Sequence, residues 1–346
     1  MGMGSDLFDL ISSKELDLRS LRNKTVTVDA FNTIYMFLTN IRGRDGSPLT
    51  NADGEPTSHL VGLYNRFTKY MEKGIDFVFV FDGESPDLKK EEQERRKKKK
   101  KKAKEKYEEA KKEEDVQNMK KYAARQAVLD QKKIDESKRL IRLMGMGVVD
   151  APSEGEAQAA HMVKRGDAYA VVTQDADSLL NGATRVIRNL SISGRRKMPG
   201  TQSYKTVKPE LIELKKVLDD LDITQDQLIA LALLIGTDYN YGGVKGIGPK
   251  RGIKKVRKYE DDFQTLFKEV GWEDHFDTSW EEVFSTIKDM EVTDEYEFET
   301  GDYDADGIRK MLVEENDFSQ DRVDKKLKKL KKAREVNKQK GIGDFV

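Results

Sequence analysis

Three short apolar runs in this chain each lead into an acidic residue. Thr25–Val28 runs into Asp29 and then into the helical pattern Ala30–Leu38. Phe77–Phe81 runs into Asp82, and Tyr169–Thr173 into Gln174-Asp175, followed by the short apolar pair Leu179-Leu180. Apolar runs of strand length, alternating with helical stretches, predict an α/β fold with a central, mostly parallel twisted sheet flanked by helices. In such sheets ligands collect at the carboxyl ends of the strands. The acids fall at those ends.

The rest of the chain is arranged around that pattern. Between Glu84 and Met144 there is no strand signal but an abundance of Lys, Glu, Gln and Ala, which predicts a charged helical insertion. The alternative is a disordered linker. Tyr122, Val128, Leu129, Ile134, Leu140 and Ile141 give its second half an apolar face for packing. From Glu210 onward the pattern reads as mainly helical, and Val244 to Arg251 interrupts two helices with a glycine hairpin. No internal repeat is visible.

Composition narrows the chemistry. The 346 residues include no cysteine and 3 histidines, His59, His161 and His275, none of them in a paired motif. Thiolate zinc sites, disulfides and cysteine nucleophiles are therefore excluded. A metal site must be built mainly from oxygen, which favours magnesium or manganese. The formal net charge is zero, but it averages polarised regions: Lys89–Lys106 holds twelve basic and four acidic residues, and Glu281–Asp306 eleven acidic residues and one lysine. No run approaches the ~18 apolar residues of a membrane span. The N-terminus lacks a secretory signal, so an intracellular chain with no membrane partner is expected.

Seven acids form the candidate site: Asp29, Asp82, Glu154, Glu156, Asp175, Asp177 and Asp238. Each has an ordinary structural explanation. Asp29, Asp175 or Asp177 could cap the helix that follows. Ser153 and Glu156 fit a capping box. Asp238 lies just past an apolar helix, where an acid opposes the dipole. Together they mean more, because Glu154/Glu156 and Asp175/Asp177 are two i, i+2 pairs and the strand pattern gathers most of the seven at one sheet edge. Crowded carboxylates raise one another's pKa values unless cations intervene. Two hard divalent ions about 4 Å apart would suit in-line attack on a phosphodiester. No phosphate-binding glycine loop or Ser/His/Asp arrangement competes.

At these residues the chain resembles the flap endonuclease family of structure-specific 5′ nucleases. The matching stretches are Val28-Asp29-Ala30 with Ile34-Tyr35, Val80-Phe81-Asp82-Gly83, Ala151 to Gln158, Gln174 to Leu179, and Gly236-Thr237-Asp238-Tyr239, in the family's order. It is most similar to archaeal members, which would place it in cytoplasm or nucleoid. The resemblance implies a PIN-like 5′ nuclease fold with a helical arch and a helix–hairpin–helix. It also implies removal of 5′ flaps with two Mg2+, Mn2+ substituting, and 5′-3′ exonuclease activity. The implied layout is an N-terminal nuclease region at 1–100, an arch at 84–135, and an internal nuclease region at 118–262 with the helix–hairpin–helix at 228–258. A C-terminal helical region at 263–337 and a tail at 338–346 complete it.

Roles follow by resemblance. Lys89 and Arg96 match positions that contact the scissile phosphate, where cations offset developing charge; otherwise they belong to a solvated basic run. The implied DNA contacts are Tyr35, Arg42, Arg66, Glu154, Gly236, Asp238, Gly246, Gly248, Lys250 and Arg251, with Tyr35 stacking on a base. The eight consecutive basic residues from Arg95 to Lys102 would attract phosphate at the arch's foot. In the hairpin, glycines let amides approach a phosphate. Relatives often hold potassium there. This chain has Gly242-Gly243 and one extra residue, a departure that counts against a K+ site. Gln339, Ile342 and Phe345 approximate a sliding-clamp peptide in which Val346 replaces an aromatic. A monomer is expected. The rivals are a 5′ exonuclease or repair nuclease of the same superfamily, and a non-catalytic branched-DNA binder, which loss of cluster acids would mark.

Overall fold

The computed structural model describes residues 7–43, 47–90, 129–190, 194–197 and 204–343, together with 94, 95, 98, 101, 102 and 105. Its centre is a 7-stranded sheet of β1 (Lys14–Glu15), β2 (Thr25–Asp29), β3 (Asp76–Phe81), β4 (Gly147–Asp150), β5 (Val171–Val172), β6 (Arg185–Arg188) and β9 (Glu210–Glu213). The order across the sheet is β1-β9-β6-β5-β2-β3-β4. The pairs from β6 through β5, β2 and β3 to β4 are parallel, while β9 joins β6, and β1 joins β9, antiparallel. Strands β7 (Gly194–Lys197) and β8 (Tyr204–Val207) form a separate antiparallel pair.

The middle strands are apolar throughout because both faces are covered. In β3 the period of two divides the work: Phe77, Phe79 and Phe81 enter one core, Val78 and Val80 the other. The first face carries helices α1 (Ala30–Asn40), α2 (Ser58–Met71) and α3 (Gln131–Leu143), together with α11 (Ala305–Arg309) and α12 (Gln320–Gly343). Phe67 of α2 meets Phe77 and Phe79 edge-on, with ring centroids 4.9 and 4.8 Å apart, a favoured aromatic geometry. The opposite face carries α4 (Gly155–Arg165), α5 (Asp177–Leu180), α6 (Leu214–Leu221), α7 (Gln225–Ile235), α8 (Pro249–Tyr259), α9 (Phe263–Glu269) and α10 (Trp280–Lys288). Leu228 to Ile235, the longest apolar run, lies in α7 and is buried as far as Leu234; the helix starts with a capping box of Thr224 and Gln227.

The expected sheet is present. One reading needs correction: the chain from Glu210 is not helical from the outset. Leu211 and Ile212 are buried on opposite faces of β9, and Pro209 precedes it. Four residues are too few for alternation to stand out beside the long helices that follow. In the insertion, Leu140 and Ile141 are buried and Leu129 and Ile134 partly so, as their pattern suggests. Tyr122, Val128 and residues 106–128 generally lie outside the described residues, as does Arg96. Among the described residues no helix is long and apolar enough to cross a membrane.

Candidate active site

The sheet delivers its acids to one edge. Asp29 ends β2 and is 5% exposed; its Oδ1 accepts from the Asn32 amide at 3.0 Å, so it does cap α1. Asp82 follows β3, and its Oδ1 accepts from the Gly155 amide at 2.8 Å. A Cβ on Gly155 would lie 2.6 Å from that oxygen, so this position admits only glycine without displacing the carboxylate. Glu154 is the N-cap of α4 but makes no capping hydrogen bond. The capping box expected of Ser153 and Glu156 does not form. Ser153 Oγ donates to the Glu84 carbonyl at 3.0 Å, and Glu156 Oε1 instead accepts from Thr173 Oγ1 at 2.5 Å.

Thr173 also accepts from the Asp175 amide at 3.1 Å, so one hydroxyl ties the Glu156 carboxyl to the backbone at Asp175. Asp175 Oδ1 takes the neighbouring Ala176 amide at 2.9 Å, and Asp177 is the first residue of α5, whose N-cap, Ala176, gives no side-chain cap. Neither acts as the helix cap that its sequence position allowed. Asp238 lies in the turn after α7, with its Oδ2 3.9 Å from Lys89 Nζ.

Electrostatics bind these groups into one site. Burial, then the charge of Asp82, pushes Asp29 up to about 7, against the Asn32 amide. The neighbouring Glu156 carboxyl, like the Asn32 amide, works against that rise. Asp82 is raised to about 6 by burial and then by Glu154. Burial raises Glu156 and Asp177 well above the carboxylate range, with Asp29 and Asp175 respectively adding to it. The protein alone therefore cannot keep every carboxylate charged at neutral pH.

One cation of the chain already stands among them. Lys89 Nζ donates to Glu154 Oε2 at 2.5 Å and lies 5.3 Å from the centroid of the Tyr239 ring. Burial opposes its charge, but Glu154, Tyr239 and Asp177 outweigh that cost and hold the ammonium above its ordinary range. Burial likewise pushes the Tyr239 phenol up.

Such a donor set fits hard divalent cations: it is all oxygen, acidic, and cannot be fully ionised without added positive charge. Among the described residues no three acidic or imidazole side chains close into a ready-made cage.

The remaining predicted residues lie on other elements. Tyr35 is half-buried on α1 and Arg66 half-buried on α2. Arg42 donates to the Leu38 and Thr39 carbonyls at 3.0 Å each, satisfying the end of α1. Gly236 closes α7 at φ +117, where a Cβ would lie 2.6 Å from the Gly243 amide nitrogen. Gly246 at φ +80, Gly248, Lys250 and Arg251 are exposed, and Pro249 occupies the first turn of α8. Arg251 Nη1 donates to the Gly246 carbonyl at 3.0 Å. The backbone of Gln339 and Ile342 continues α12 rather than starting a separate tail, and Phe345 lies outside the described residues. Sequence reasoning missed Gly155, Thr173 and Tyr239. The first two carry a local signal, a glycine between two glutamates and a threonine two residues before an acid, but no pattern pairs Tyr239 with Lys89.

Residues 1–103 match the XPG N-terminal domain and residues 145–238 the XPG I-region. Flap endonuclease 1 of Pyrococcus abyssi is 45% identical over 337 residues, spanning 97% of this chain and 96% of its own length. The chain belongs to the flap endonuclease 1 family. Its relative from Ignicoccus hospitalis is 47% identical over 330 residues, 94% of this chain and 93% of that one. The flap endonuclease-1 structure from Methanococcus jannaschii superposes with a TM-score of 0.74 at 42% identity, covering 95% of this chain and 98% of the other. Every cluster acid lies inside the two matched regions, as do Lys89 and Gly155.

Proposed function

We infer that this chain is a divalent-metal-dependent, structure-specific nuclease that removes 5′ flaps at single-strand/duplex junctions during DNA replication and repair. The observation that carries the reading is the gathering of carboxyls at the strand ends with the Lys89 ammonium held among them. Kinship with flap endonucleases along nearly the whole chain supports it.

Asp29, Asp82, Glu154, Glu156, Asp175, Asp177 and Asp238 are the groups that would hold metal, taken as two Mg2+ with Mn2+ able to substitute. Bound there, the ions would supply an activated water and offset charge on the phosphate. Lys89 neutralises charge on the scissile phosphate, which competes with Glu154 for the ammonium, and Arg96 assists from the arch. Tyr35 stacks on a substrate base, and Arg42 and Arg66 contact duplex. Gly236 and the hairpin Gly246–Gly248, with Lys250 and Arg251, hold the phosphate backbone. Glu154 and Asp238 face both metal and DNA. The same site gives 5′-3′ exonuclease activity. The segment at 84–135 acts as the arch, 228–258 as the helix–hairpin–helix, and Gln339, Ile342 and Phe345 engage a sliding clamp. The enzyme works as a monomer.

The test is Asp175→Ala on a 5′-flap substrate. Cleavage should be nearly abolished while flap binding stays largely intact, because a metal ligand stabilises the reacting phosphate more than the bound duplex. Retention of more than about a tenth of the rate in saturating magnesium overturns the metal assignment. Crystals soaked in manganese should give two anomalous peaks among these acids.

A further inference from the structure

Two aromatic side chains of the turn between α7 and α8 each receive a cation from the chain segment that follows Asp82. Lys89 faces Tyr239, and six residues later the Arg95 guanidinium lies 3.4 Å from the centroid of the Tyr241 ring. Tyr241 is 52% exposed, and among the described residues only Val336 joins it as an exposed large apolar side chain. An exposed aromatic by itself calls for no explanation. A guanidinium seated on its face at contact distance does, because that geometry is attractive even in water.

The turn is a firm base. Thr237 Oγ1 donates to Asn240 Oδ1 at 2.7 Å, Asn240 Nδ2 to the Leu233 carbonyl at 2.7 Å, and the Val244 amide to the Leu234 carbonyl at 2.9 Å. The Lys89 contact cannot hold the segment alone, since its ammonium is shared with Glu154 and must turn to a phosphate in the reaction. A second contact six residues on keeps the segment docked while Lys89 moves.

We propose that Arg95 and Tyr241 are positioning residues that latch the Lys89-bearing segment to the DNA-binding hairpin, so that an engaged duplex fixes where Lys89 meets the scissile phosphate. The proposal rests on the flap-nuclease reading. Wild-type cleavage of a 5′ flap is therefore the control: its absence would sink that reading, whereas the comparison of variants judges the latch.

Single-turnover rate and Kd are measured on one 5′-flap substrate for Tyr241→Ala, Tyr241→Phe, Arg95→Ala and the double alanine variant. The expected result is a rate about three- to tenfold lower for Tyr241→Ala and for Arg95→Ala, with Kd within about twofold of wild type. Tyr241→Phe should restore the rate because it keeps the ring face, and the double variant should fall no further than either single change. Unchanged rates, or losses that multiply in the double variant, overturn the latch. A weaker Kd at unchanged rate would make Tyr241 a base-stacking residue instead and overturns it equally.

Discussion

Gly155→Ala adds one methyl group, and the structure says where it must go. The new Cβ would stand 2.6 Å from Asp82 Oδ1, closer than a carbon and an oxygen tolerate, and 3.2 Å from the Val80 carbonyl, a tight contact. Val80 belongs to β3, which is paired on both sides and holds its place, so the Asp82 carboxylate must yield. In doing so it loses the 2.8 Å hydrogen bond from the Gly155 amide. A hydrogen bond to a charged group contributes about 1.5–3 kcal/mol. Alanine's helical advantage over glycine, about 1 kcal/mol in a helix interior and less in the first turn, offsets part of that. The net loss of stability should therefore be small, about 1–2 kcal/mol.

Activity should suffer far more than stability. A displacement of about 1 Å at a reacting centre can cost about 100-fold in rate. The assay is single-turnover cleavage of a 5′ flap in saturating magnesium, paired with thermal denaturation to confirm that the fold survives. A folded Gly155→Ala variant that cleaves within about threefold of wild type would refute the claim that this glycine is required by the carboxylate.

Lys250→Ala with Arg251→Ala should weaken duplex binding and lower the slope of log affinity against log salt by about 1–2, each lost phosphate contact releasing fewer counterions. A titration of binding against salt checks this, and an unchanged slope removes both residues from the interface. The metal-free protein should lose stability as pH rises from about 4 to about 7, because folded Asp29, raised to about 7, and Asp82, raised to about 6, keep protons that the unfolded chain has released. Cation binding displaces those protons, so the gain in Tm from magnesium should grow between pH 5 and pH 8. A gain independent of pH contradicts that. Deleting Gln339 to Val346 should leave cleavage of a simple flap unchanged and remove stimulation by a clamp. Calorimetry of the peptide with a clamp protein, silent even at about millimolar concentration, would reduce the segment to an ordinary helix end.

The sheet and its acidic edge were legible because they rest on short-range rules. An apolar run buried on both faces announces a parallel strand, and β2 and β3 appear where such runs stand. Strand β5 is shorter than Tyr169–Thr173 promised: regular pairing is confined to Val171 and Val172, while the Tyr169 amide and the Ala170 carbonyl still bond β2 at Thr25 and Thr27. Short strands such as β9 and the edge strand β1 owe their existence to a neighbour already in place, and no local pattern records that debt.

The acids show the same division more sharply. Asp29 serves as helix cap and as a site acid at once, so the two explanations weighed for it were never exclusive. At Ser153 and Glu156 a sound local motif lost to tertiary partners, Glu84 and Thr173, that lie 69 and 17 residues away. The capping box would have satisfied α4 and spent Glu156 on its own backbone. Giving Glu156 to Thr173 leaves it near Asp29, whose charge, after burial, raises the affinity of Glu156 for a proton and, by the same repulsion, for any cation that can replace the proton. At Glu156 the disagreement between local rule and structure falls on an acid expected to bind metal, as it should if the fold gives up some stability there for the reaction.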